Sequence, residues 1–133
     1  MNNNELVSLA LKAREFSYSP YSNYKVGAAL LCADMSVYTG CNVESVAFSP
    51  TICAERAAIV KAVSEGKRDF LKIAVVGGVD KTIADFCTPC GVCRQTLAEF
   101  CNPDFEIILV NADGEIKVVT IGDLLPLSFT KLD

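Results

Sequence analysis

The chain has 133 residues, about half of them apolar, a formal net charge of -4 and no histidine. That length suits one domain spanning 1–133 and is too short for two ordinary ones. The longest apolar runs, such as "VGAALLCA", fall far short of the roughly 20 residues a membrane span needs, and an acidic chain with scattered Lys and Arg argues against a polynucleotide partner.

A small-molecule partner is therefore expected. The start, "MNNNELVSLALKAREF", has no basic segment ahead of a hydrophobic stretch, so it does not read as a secretory signal and a cytoplasmic protein is expected. Residues 5–16 carry Leu6, Leu9, Ala10, Ala13 and Phe16 at spacings of three and four, which predicts an amphipathic helix. "YSPYSNY" (18–24) is turn-rich. "KVGAALLC" (25–32) predicts a buried strand and "SVYTGCNVE" (36–44) a second, after a turn at Asp34.

Residues 52–64 predict a helix that stops near Gly66. "LKIAVVGGV" (71–79) reads as a third strand, "CGVCRQTLAEF" (90–100) as a helix and "FEIILVNA" (105–112) as a fourth strand. Asp113–Gly114 is a turn signal leading into a strand at 115–121. Asp123–Leu127 suits a short last helix. Intermingled strands and helices predict an α/β fold, a three-layer α/β/α sandwich around a mixed sheet of about five strands.

Seven cysteines are many for this length, and the count is odd. In a reducing compartment they bind metal or lie buried as small apolar groups. Cys90 and Cys93 form a C-x-x-C element after Pro89, a spacing that lets two thiolates converge on one ion as the backbone turns into a helix. Cys53 opens another helix. Three thiolates with one position left open is the layout of a catalytic zinc rather than a closed structural one.

Glu55, two residues on, is then placed as an acid that is not a ligand, able to take a proton from a water activated by zinc and pass it to substrate. Zinc with three thiolates carries about minus one by formal count, which weakens it as an acid. Arg56 can offset this by donating to ligand sulfurs. The helix N-termini favour anionic groups by a few tenths to about 1 kcal/mol each. In "GCNVE" (40–44), Asn42 and Glu44 would share one face of a strand, an amide and a carboxylate suited to vicinal sugar hydroxyls. Tyr24 offers a ring face to a flat base. Cys32, Cys41 and Cys101 lie in apolar surroundings and read as core thiols.

"CAE" followed by "PCGVC", with "SPYSNYKVGAAL" and "CNVE" upstream and "LLPLSF" near the end, resembles the small homotetrameric cytidine deaminases over nearly the whole chain. The resemblance implies that Cys53, Cys90 and Cys93 hold one Zn2+ per chain. It implies that Glu55 carries protons from water to ring N3 and then to the departing amino group. It further implies that Asn42 and Glu44 bind the ribose and that Arg56 stands behind the ligands. Tyr24 occupies the place of a usual Phe, and Phe129 matches an aromatic that reaches a neighbouring subunit's pocket. The implied reaction converts cytidine and 2′-deoxycytidine to the uridine forms with release of ammonia, in pyrimidine salvage, within a homotetramer that shares its active sites. Ser45 stands where Asn is common, and Cys87 is a thiol the family does not require.

Rival readings exist. A deaminase of a cytosine-nucleoside antibiotic, of the blasticidin type, would carry the same metal motifs, although the Asn42/Glu44 pair favours a free ribose. A polynucleotide-editing deaminase lacks the basic surface it would need. From another class, Cys87, Cys90 and Cys93 spell C-x-x-C-x-x-C, close to an iron–sulfur run with Cys101 as a distant fourth. That reading leaves "CAER" unexplained.

Overall fold

A computed structural model describes residues 1–132. The elements run α1 (Asn3–Arg14), β1 (Tyr24–Cys32), β2 (Val37–Cys41), α2 (Ala54–Ser64), β3 (Phe70–Val79), α3 (Gly91–Phe100), β4 (Glu106–Val110), β5 (Ile116–Thr120) and α4 (Ile121–Leu124). They build one five-stranded sheet in the order β2-β1-β3-β4-β5, mixed because only β3 and β4 run parallel.

The layering follows from alternation along the strands. Ala28, Leu30 and Cys32 of β1, with Ile73 and Val75 of β3 and Ile107 and Leu109 of β4, face α2, α3 and α4. Ala29, Leu31, Ala74, Val76 and Ile108, from the opposite pleats, face Leu6, Val7 and Ala10 of α1. Both faces are thus covered, and the expected α/β/α sandwich forms.

Close approach of helix to sheet sets where the site can stand. A Cβ on Gly40 of β2 would lie 2.6 Å from the Ala54 carbonyl oxygen and 2.7 Å from the Ala58 nitrogen. Only glycine therefore lets the first turn of α2 rest directly on the sheet. Across the molecule, the buried Arg14 ties α1 to the loop after β3. Its Nε donates to the Lys25 carbonyl at 2.9 Å, and Nη2 donates to the Gly78 and Asp80 carbonyls at 3.0 and 2.9 Å and to that of Thr82.

Three expectations needed correction. Phe16 lies beyond α1, which stops at Arg14 so that the chain can turn and bring Tyr18 into a bridge with Val43, and its ring is exposed. The second strand ends at Cys41, not at 44. There the Asn42 amide replaces the ladder, with Oδ1 accepting from the Val26 N–H at 2.9 Å and Nδ2 donating to the Tyr24 carbonyl at 2.7 Å, and Val43 leaves to bridge Tyr18 and Ile52. The last helix starts at Ile121 rather than 123, because Thr120 and Asp123 form a reciprocal capping box.

Candidate metal centre

Cys53 and Cys90 are the N-cap residues of α2 and α3. Both have extended backbone, and neither thiol is used to cap its helix. An N-cap side chain normally accepts from the exposed N–H groups of the first turn; here the sulfurs turn to each other instead. Cys90 Sγ lies 3.6 Å from Cys53 Sγ and 3.4 Å from the fully buried Cys93 Sγ. All three lie within 4.8 Å of one another.

This donor set fits zinc. Sulfurs held about 2.3 Å from a tetrahedral zinc stand about 3.8 Å apart, so the observed separations need little change. Soft thiolates also favour zinc over the hard, oxygen-seeking cations. Cys87 and Cys101 are not in the group. Cys87 Sγ packs instead against Gly77 of β3, beside the Tyr24 ring, which removes the geometric basis of an iron–sulfur run.

The electrostatics are those of a site built for a cation. Contact with Cys93 and then with Arg56 lowers the Cys53 thiol to about 5, even against burial. The Cys53 charge and burial push Cys93 upward. One thiolate therefore suppresses its neighbour, and a divalent cation relieves that conflict. Arg56 Nη2 donates to Cys53 Sγ at 3.7 Å and to the Thr51 carbonyl at 3.2 Å, while its buried Nε has no partner among the described residues.

Glu55, in the first turn of α2, is only 4% exposed. Burial above all, reinforced by the Cys53 thiolate, raises its carboxyl to about 7. Such a group exchanges a proton near neutral pH, and bound zinc, as a nearby cation, would lower that value.

The other anticipated residues are placed less simply. Asn42 and Glu44 lie past the end of β2 on either side of the bridging Val43, and both side chains are hydrogen-bonded by the segment at 17–26. Asn42 Oδ1 also accepts from Ser17 Oγ at 2.5 Å, which leaves one Nδ2 hydrogen uncommitted. Glu44 Oε1 accepts from the N–H groups of Tyr21 and Ser22 at 3.0 and 3.1 Å, and Oε2 from the Ser22 hydroxyl. The Ser22 hydroxyl leads in holding the Glu44 carboxyl below its usual range.

Glu44 lines a hollow of about 440 Å³ with Tyr21, Ser22, Phe48 and Thr51. Tyr21 and Phe48 meet there edge to face at 6.4 Å. The Tyr24 hydroxyl is pushed up to about 12, by burial first and then by Cys87. Phe129 is not drawn into the cluster. Its backbone carbonyl accepts from Gln95 Nε2 at 2.7 Å, and its ring is exposed. Ser17 and Ser22 were not legible as site residues, although the serines of "SYSPYSNY" signal a hydrogen-bonded turn.

Replacement of Cys93 by Ser is expected to abolish stoichiometric zinc, whereas Cys87→Ser should retain one zinc per chain in metal analysis of the purified proteins. Zinc loss in the Cys87 variant would show that the ligand set is wrong.

Two helix N-termini that bring three cysteine sulfurs together beside a buried acid, on a mixed α/β sheet, are the layout of the zinc-dependent deaminases. The chain belongs to the cytidine and deoxycytidylate deaminase family, whose zinc-binding region matches residues 1–109. It is 47% identical to the cytidine deaminase of Sporosarcina psychrophila over 133 residues, all of this chain and 95% of that one. The crystal structure of cytidine deaminase from Burkholderia pseudomallei superposes with a TM-score of 0.90 at 44% identity, covering 97% of this chain and 100% of that one. The blasticidin-S deaminase of Bacillus cereus is more distant, at 31% identity over 132 residues, 96% of this chain and 91% of that one.

Proposed function

We propose that the protein hydrolyses the exocyclic amine of cytidine and 2′-deoxycytidine, giving uridine or 2′-deoxyuridine and ammonia. The observation that carries this reading is a single one: a buried carboxyl, Glu55, packed beside three convergent cysteine sulfurs.

Cys53, Cys90 and Cys93 would hold the zinc, and zinc when bound supplies the Lewis acidity that makes water a nucleophile at neutral pH. Glu55 takes a proton from the attacking water and delivers it to ring N3; it then takes the remaining proton from the hydroxyl added at C4 and passes it to the amino group as that group leaves. The atoms balance as nucleoside plus water giving the keto product plus ammonia. Arg56 draws charge from Cys53. The remaining Asn42 N–H and the ionised Glu44 carboxylate bind ribose hydroxyls, and Tyr24 borders the base. Because these two contacts need not include the 2′-hydroxyl, both sugars are accepted.

The chain acts as one domain over 1–133, in the cytoplasm, within pyrimidine salvage. No described helix is long and apolar enough to cross a membrane. The exposed rings of Phe48 and Phe129 support assembly as a homotetramer, with Phe129 entering a neighbour's pocket.

Ammonia release from cytidine, with zinc measured on the same sample, tests the activity. Zinc-loaded protein that releases none would refute it. The similarity to a blasticidin-S deaminase makes blasticidin S the comparison substrate, and a higher kcat/KM for blasticidin S than for cytidine would reassign the activity. Arg56→Ala is expected to lower kcat/KM by about tenfold to a hundredfold, as loss of partners behind metal ligands does. The melting temperature should fall by no more than a few degrees. A change in stability alone would remove Arg56 from the chemistry.

A further inference from the structure

The loop that delivers Cys90 is gripped by one side chain that the reaction does not use. Arg94, in the first turn of α3, is half-buried. Its Nε donates to the Pro89 carbonyl at 2.7 Å, Nη2 donates to Thr88 Oγ1 at 3.4 Å, and Nη1 donates to the Leu124 carbonyl at 2.8 Å. Its backbone N–H donates to the Cys90 carbonyl at 2.9 Å. One residue therefore contacts each of the three residues that lead into and include a cysteine of the cluster. Its remaining arm reaches a different element.

That element is a firm anchor. Ile121 of α4 is buried in the core beneath α2 and α3, the Thr120–Asp123 capping box closes the start of α4, and the Leu125 N–H returns to the Ile121 carbonyl at 2.8 Å. The Leu124 carbonyl is one of the terminal acceptors that a helix cannot satisfy within itself. Pro89 is itself almost fully buried. The Thr88–Cys90 segment has no strand or helix of its own; the first hydrogen bond of α3 holds its end at Cys90, and the Pro89 ring and the Arg94 guanidinium hold the rest. A planar fork with five N–H donors can serve the two carbonyls and the hydroxyl together. An ammonium on a flexible stem presents a single point of charge instead.

We propose that Arg94 is a positioning residue of the metal centre: it clamps the Thr88–Cys90 loop to α4 so that Cys90 is held ready opposite Cys53 and Cys93. This rests on the reading that these three cysteines hold zinc. The clamp slows release of the metal by restraining the backbone that carries Cys90.

The test is zinc release from the purified, zinc-loaded full-length protein into excess chromophoric chelator. It compares wild type with Arg94→Ala and Arg94→Lys, and the melting temperature of each metal-free protein is measured alongside. Arg94→Ala should release zinc at least about tenfold faster, in line with the loss of partners that orient metal ligands, while the metal-free melting temperature stays within roughly 5 °C of wild type. Arg94→Lys should fall between the two. In cobalt-loaded Arg94→Ala, the thiolate-to-metal absorption bands should shift, which a merely stabilising residue would not cause.

Release within about twofold of wild type for Arg94→Ala would overturn the proposal. So would full rescue by lysine, or faster release with unshifted cobalt bands. If Arg94→Ala does not fold, Arg94→Lys decides by the same release criterion. No nucleoside is used, so failure here is separable from failure of the proposed activity: a protein that holds zinc tightly and deaminates nothing refutes the activity alone.

Discussion

Glu55→Gln is expected to retain one zinc and the native fold while losing turnover of cytidine by several orders of magnitude. Glutamine matches glutamate in shape and fills the same buried position, but it can neither accept a proton from water nor carry one to the ring and the leaving amine. General acid–base transfer is worth about 10²- to 10⁴-fold per step, and this reaction needs two transfers through one group. Glu55 also bears the cost of a carboxyl enclosed by protein, which is why its pKa stands near 7.

The sign of the accompanying stability effect follows from that shift. A carboxyl whose folded pKa lies above its unfolded value disfavours folding increasingly as pH rises between the two. The metal-free glutamine variant should therefore be at least as stable as metal-free wild type at pH 8, and the difference should shrink toward pH 4. Steady-state ammonia release, metal analysis and thermal melts on the same preparations check all three points. Turnover within tenfold of wild type would remove Glu55 from the proton path.

Gly27→Ala is expected to damage the fold severely. A Cβ at this position of β1 would lie 2.0 Å from the Ala10 carbonyl oxygen, 2.6 Å from the Arg14 nitrogen and 2.8 Å from Arg14 Cβ. These are mostly backbone atoms of α1, which cannot rotate aside as a side chain would. The helix must lift from the sheet, opening the layer formed by Leu6, Val7 and Ala10 and pulling Arg14 from the carbonyls it serves. Overpacking ordinarily costs about 1–3 kcal/mol; with backbone on the receiving side we expect about 4 kcal/mol or more, the exceptional range for one substitution. Urea denaturation would measure it, and a loss below about 1 kcal/mol would show that α1 is free to shift.

The sulfur cluster was legible because its chemistry is written in residue types. Cys90 and Cys93 stand at ligand spacing before a helical pattern, and Cys53 and Glu55 open another. A helix start places such residues where its N–H groups are unpaired. The continuous apolar run of β1 and the Asp113–Gly114 turn likewise led to real strands. Around Asn42 and Glu44 the expected strand ran three residues too far, to Glu44, where the real one ends at Cys41. The Asn42 amide ends the β1–β2 ladder by taking the backbone's place, which no period-two pattern can signal.

Residue order alone determined the α/β architecture, the Cys90–Cys93 pair and the placing of Glu55 two residues after Cys53, since each depends on periodicity or on short spacing within a single element; that Cys53 meets the other two sulfurs across α2 and α3 is the work of the fold. Tertiary structure alone decided that Cys87 turns away toward Tyr24 and Gly77, that Phe16 stands in the open, and that Arg14 and Arg94 act as clamps. The physical reason is that these side chains mostly bind main-chain carbonyls or fill space above a glycine. A carbonyl is the same at every position in the chain, so its partner becomes known only once folding has brought distant segments together.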